Sequence, residues 1–221
     1  MSPMRRITLF PLVCALLLLS APAASAEVQE LGLSSDRPAS SCPKDCQAVG
    51  RVTGYTVTQK GGSPNPFKVK ASGKVVAFSL RLGKPTASQA AYFRQNFGGT
   101  PKARISILRR GKNNVHRLLA QSGSFKLERY FGSTPTFALD RPLKVPAGAY
   151  VALTVPTWAP AFSVGLSKNE VWRSSRTKGK CDRVTGHYTH QKINSLKTYG
   201  CTYPNARLRY TATFVTDPKP T

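Results

Sequence analysis

From Arg51 onward the chain repeats with a period of two, and that repeat leaves it few folds. Within Lys74 to Gly83, Val76, Phe78, Leu80 and Leu82 fall on one side, and Val75, Ala77, Ser79 and Arg81 on the other. Successive side chains of an extended strand point to opposite faces, so this spacing predicts a strand with one face buried. The same alternation marks Arg51 to Gln59, Ala103 to Arg109, Tyr150 to Val155, Phe162 to Leu166 and Arg207 to Val215. In the last of these, Leu208, Tyr210, Ala212 and Phe214 share a face. Turn-forming residues separate the runs: Lys60 to Pro66, Arg110 to Asn114, Asp140-Arg141-Pro142 and Pro146-Ala147-Gly148. Short strands broken at intervals by such turns predict an all-β sandwich. The order of strand, long excursion and return predicts jelly-roll-like winding. One short helix is expected at about 86–97. Thr86 and Gln89 are spaced as a capping box, Ala90, Phe93 and Phe97 share a helical face, and Gly98-Gly99 ends it.

The N-terminus reads differently. Arg5 and Arg6 precede an apolar run from Ile7 to Ser20, followed by Ala24-Ser25-Ala26. A basic region, a short apolar run and a small-x-small site make a secretory signal peptide, expected to be cleaved after Ala26. The run is too short to span a bilayer, which takes about 20 residues. Cys14 lies inside that run, where a lipid-modified cysteine would have to follow it. The expected organisation is a signal peptide at 1–26, an irregular leader at 27–47, a single domain at 48–216 and a tail at 217–221. The protein is expected to be secreted.

Beyond Cys14 the chain holds Cys42, Cys46, Cys181 and Cys201. An even number in an exported chain reads as disulfides, and four cysteines allow three pairings. The favoured pairing is Cys42–Cys46 with Cys181–Cys201. The second bridge then staples residues 168–205, a weakly periodic basic stretch expected to be a long loop with a short helix at His190 to Leu196. The rival pairings tie the leader to the C-terminal part.

Charge adds a second constraint. With 33 Lys and Arg against 9 Asp and Glu, the net charge is +24. Such an excess concentrates anions at the surface. Nucleic acid is expected to bind only non-specifically, since no nucleic-acid-binding motif is present. Residues for chemistry are scarce. There are three histidines, and His187-x-x-His190 has no carboxylate nearer in sequence than Asp182. No metal site and no cofactor are expected. Among the interior acids, Glu128, Asp140, Glu170 and Asp182, none forms a close pair of the kind glycoside hydrolysis uses. There is no Gly-x-Ser-x-Gly elbow, so no catalytic residue is assigned.

Binding residues are better represented. Trp158 lies in Pro156-Thr157-Trp158-Ala159-Pro160, read as a stiff loop between strands. Trp172 precedes Arg173, Arg176, Lys178 and Lys180. Aromatic faces among cations suit an anionic ligand with stackable rings. The alternative for each tryptophan is burial, the usual state of large aromatics.

Two segments carry a resemblance to known proteins: Lys74-Val75-Val76-Ala77-Phe78-Ser79-Leu80, and the turn-and-strand Leu143 to Leu153 with its Pro146-Ala147-Gly148-Ala149-Tyr150 core. They resemble secreted jelly-roll modules of the carbohydrate-binding type over roughly 74–166. The resemblance implies the fold and transfers no site. The expected function is non-catalytic binding of an anionic or glycan surface polymer, through Trp158, Trp172, Arg173, Arg176, Lys178 and Lys180. The alternatives are a structural protein of the cell envelope and a hydrolase using Asp140 or Glu128 beside a histidine.

Overall fold

The computed structural model describes residues 25–183 and 188–218. Almost all of the expected signal peptide, and His187 of the histidine pair, lie outside the described residues. The strands are β1 (Val28–Leu31), β2 (Val49–Thr58), β3 (Gly73–Leu80), β4 (Lys102–Arg110), β5 (Val115–Gln121), β6 (Phe125–Lys126) and β7 (Thr136–Val145). They continue with β8 (Tyr150–Ala159), β9 (Phe162–Ser163), β10 (Val171–Ser174), β11 (Leu196–Thr198), β12 (Cys201–Pro204), β13 (Arg207–Leu208) and β14 (Tyr210–Thr216). The smaller sheet runs β1-β14-β3-β7 and the larger β11-β5-β4-β8-β2-β10-β12, with β6 beside β4; β13 and β9 form a ribbon. The chain is mostly β, its sheets are antiparallel, and the sandwich class predicted from the alternation is the one that forms.

Val75, Phe78, Leu80, Ile105, Ile107, Val151, Leu153, Ala212 and Phe214 bury one face of each sheet against the other. Tyr210 stacks on Phe67 with ring centroids 4.0 Å apart. Simple alternation fails at Val76. The register of β3 shifts between Val75 and Ala77 against both β7 and β14. That bulge puts Val75 into the core in place of Val76, because an extra residue reverses the facing of those beyond it. Opposite the bulge lie Asp140, Arg141 and Pro142, so β7 runs through what reads as a turn. As an edge strand it tolerates a proline that has no N–H to donate.

The expected helix is present as α1 (Ala87–Phe97). Thr86 accepts from the Gln89 N–H and the Gln89 side chain accepts from the Thr86 N–H, the complete capping box. Its far end meets Arg51, whose Nε donates to the Phe97 carbonyl at 2.9 Å. A cation there complements the helix dipole.

Three expectations are corrected. The leader is not all irregular: Val28–Leu31 pairs with β14 as an edge strand. The 156–160 segment is not a stiff loop; β8 continues through it to Ala159. Pro156 is accommodated because the β2–β8 register shifts between Gly50 and Val52, where no ladder bond is required of it. The stapled stretch is not a long loop and forms no helix at His190 to Leu196. It supplies β10 and β12 to one edge of the larger sheet and β11 to the other.

The larger sheet explains this ordering. Its outer face carries Tyr55, Leu108, Leu118 and Tyr150, which pack with Tyr199 into a second apolar cluster. Gln191 closes it, donating to the His116 and Ser195 carbonyls and accepting from the Tyr199 hydroxyl at 3.0 Å. Beneath lie Thr53, Thr154 and Ser106, whose hydroxyls bond in a chain at 2.8 and 2.6 Å. Both expected disulfides, Cys42–Cys46 and Cys181–Cys201, are formed. Among the described residues no helix is long and apolar enough to cross a membrane.

His116 is fully buried in this cluster, 3.0 Å from the Tyr55 hydroxyl and 2.8 Å from the Asn114 carbonyl. Burial pushes its pKa from 6.5 down to about 4; Arg110 and Arg173 push the same way, against the Asn114 carbonyl. The unfolded chain therefore takes up a proton below about 6.5 that the native state refuses until about 4. Stability is expected to fall by up to about 3 kcal/mol as pH drops through that window. His190, also lowered by burial, adds slope of the same sign. Urea unfolding across pH measures it, and His116→Gln should remove most of the slope; an unchanged slope refutes the assignment.

Candidate functional site

The expected binding residues do not converge on one surface. Trp158 is fully buried. Its ring packs 5.1 Å from Phe93 and 5.6 Å from Phe131, and its Nε1 donates to the Gly99 carbonyl at 3.0 Å. It plugs the space between α1 and the larger sheet, which removes it as an exposed platform.

Trp172 is also buried, at 2% exposure. It stands on β10 opposite Thr56, and its ring lies against the backbone of Gly54, where a Cβ would meet the ring at 2.9 Å. Glycine at that point is what lets the indole lie flat on β2. Tyr203 of β12 then stacks on the indole, centroids 4.4 Å apart and planes 16° from parallel, while Phe162 meets it edge-on.

Strand alternation separates the basic residues. Arg173 faces away from Trp172 and donates to the Tyr199 carbonyl at 3.1 Å on the outer cluster. Lys178 and Lys180 sit exposed in the turn before Cys181. Arg176 turns back beside Trp172 and is 5% exposed. It donates to the Tyr203 hydroxyl at 3.0 Å and to the Gly50 carbonyl at 3.1 Å. Its Nε has no hydrogen-bond partner, and it forms no ion pair among the described residues.

These residues border a groove of about 610 Å³ between α1, the Cys42–Cys46 staple and the 181–182 turn. Tyr92, Phe162, Trp172, Tyr203, Arg176 and Asp182 line it. Tyr92 projects from the helix, 57% exposed, as the ring most open to solvent. The Tyr203 hydroxyl donates to the Cys181 carbonyl at 2.8 Å, so the second disulfide anchors that wall. Of the residues expected from the sequence, Trp172 and Arg176 border this groove, while Tyr92, Phe162 and Tyr203 were not among them. Tyr203 lay two residues beyond Cys201, a visible link to the staple. For Tyr92 the only signal was an aromatic off the apolar face of the helix.

Asp182 is the acid at the groove, and the other interior acids stand elsewhere. Glu128 pairs with Arg94 of α1, Glu170 pairs with Arg207, and Asp140 is exposed in the β7 bulge. Neither Glu128 nor Asp140 lines the groove. Among the described residues no three His, Cys, Asp or Glu side chains cluster as metal ligands would. Comparison with family models, curated proteins and solved structures found no match to this chain.

Proposed function

We propose that the protein is a secreted, non-catalytic binding module for an acidic glycan of a surface polymer, held in the aromatic groove. The observation that carries the reading is Arg176: a buried cation that forms no ion pair among the described residues, at the wall of a groove lined by aromatic rings. Rings offer apolar faces to sugars, and the guanidinium fork suits a carboxylate or sulfate. The large excess of Lys and Arg over Asp and Glu draws such a polymer to the surface, and the two disulfides suit an oxidising compartment. Trp172 acts from behind the site, as the surface on which Tyr203 is stacked. Lys178 and Lys180 contribute long-range attraction only.

The test is retention of the purified protein on acidic glycan, neutral glycan, wall polymer and DNA at low and high salt. Retention on acidic glycan is expected to survive high salt. Tyr92→Ala, an exposed change, and Arg176→Gln should each weaken it about tenfold. Equal loss on every polyanion with salt, together with no effect of Tyr92→Ala, would refute the groove and favour a structural role in the envelope.

A further inference from the structure

A second cavity, of about 440 Å³, lies where residues 32–38 cross the ends of β3, β13 and β14. It shares no lining residue with the aromatic groove. Four arginines line it, Arg37, Arg81, Arg207 and Arg209, against one acid, Asp36. Strand alternation puts them there: Leu208 and Tyr210 enter the core, so Arg207 and Arg209 turn the other way. Arg81 is brought beside them by its N–H, which donates to the Arg209 carbonyl at 2.9 Å.

The charges are unevenly met. Arg207 is answered by Glu170 and by Asp36 at 3.6 Å. Arg37, Arg81 and Arg209 form no ion pair among the described residues. Arg209 is only 7% exposed, and its buried Nη1 has no hydrogen-bond partner among those residues. Burial, and then the charge of Arg81, pull its pKa down to about 10. A cation taken from water is tolerated when an anion meets it. Two neighbouring guanidinium forks present donors in the geometry that carboxylate and phosphate oxygens accept. Ser79, Thr134 and Thr211 line the same space and bring hydroxyl groups. Its volume lies in the range of small-ligand sites.

We propose that this cavity binds an oxyanion borne by a small hydroxylated ligand, a sugar acid or a sugar phosphate, with Arg209 and Arg81 as its paired forks. The site is separate from the glycan groove, and its volume suits a small soluble ligand.

Thermal unfolding tests it, with glucuronate, glucose 6-phosphate and neutral glucose as probes at constant ionic strength. One of the two acids is expected to raise Tm by about 5 °C at a hundredfold excess over Kd, and glucose to leave it unchanged. The acid that acts identifies the oxyanion. Arg209→Gln should abolish the rise without lowering the unliganded Tm, since it removes an uncompensated buried cation. Arg81→Gln, a less buried change, should cut affinity about tenfold. Tyr92→Ala should keep the full response, which separates this cavity from the groove. No rise with either acid, or an equal rise in Arg209→Gln, overturns the proposal.

Discussion

Replacing Glu170 with Ala is expected to cost about 3–5 kcal/mol of stability, a large share of the roughly 5–15 kcal/mol that holds a domain. Glu170 is 1% exposed and its carboxylate joins three parts of the chain. It accepts from Arg207 Nε at 2.7 Å, from Arg207 Nη2, and from the Lys60 N–H at 2.8 Å. Arg207 in turn donates to the Asp36 carbonyl at 2.7 Å. Removing the carboxylate strands a buried guanidinium and an amide, and unpaired buried charge is what makes such changes severe. Asp36, 39% exposed at its side chain, meets only part of the charge, which places the loss toward the lower end of the range. Exchanging both partners for apolar residues, Glu170→Leu with Arg207→Leu, should recover most of it. Urea unfolding of the two single variants and the double closes the cycle. A loss below about 1 kcal/mol for Glu170→Ala would mean that water reaches the pair and screens it.

Trp158→Ala should cost about as much, roughly 3–5 kcal/mol, through a different mechanism. The indole forms, with Ala90, Phe93 and Phe97, an apolar cluster separate from the main core. That cluster is how α1 is held to the larger sheet. Eleven residues make a helix that is marginal in water even with a good cap. Truncation leaves a cavity and also frees the Gly99 carbonyl that Nε1 now meets. The loss should therefore be local as well as global: amide exchange across 87–97 should quicken more than across β3 or β4. Trp158→Phe, which keeps one aromatic ring but loses the pyrrole part of the indole and its hydrogen bond, should cost less than Trp158→Ala. Uniform exchange across the sheets and the helix would show that α1 is held by something other than this cluster.

Much of the frame was legible because its causes are local. Alternation of Phe78 with Ser79, or Tyr210 with Thr211, needs no partner to be read; it states which face seeks burial. Thr86 and Gln89 cap the helix within one turn. The even count of cysteines announced disulfides, and the basic stretch between Cys181 and Cys201 favoured the pairing that forms without excluding its rivals. Where a bulge intervenes, as at Val76 and Arg51, the reading slipped, because an extra residue changes facing without altering composition.

The site was legible only in part. Trp172 and Arg176 border the same groove, but Trp158, on the same aromatic argument, is a core plug. A tryptophan between prolines looks alike in sequence whether β8 ends before it or runs through it. The bulge opposite Arg51 decides that, and the bulge depends on how two distant strands align.

By itself the sequence determined the β class, the helix at Ala87–Phe97 and the strongly cationic surface. These follow from steric period, capping and charge, which act between near neighbours or over the whole chain. Only the tertiary structure decided that Val28–Leu31 completes an edge and that residues 188–195 seal a second aromatic face. It also decided that Arg209 is buried beside Arg81 with no ion pair among the described residues. Each depends on which segments lie against one another, and that is settled by long-range burial and pairing.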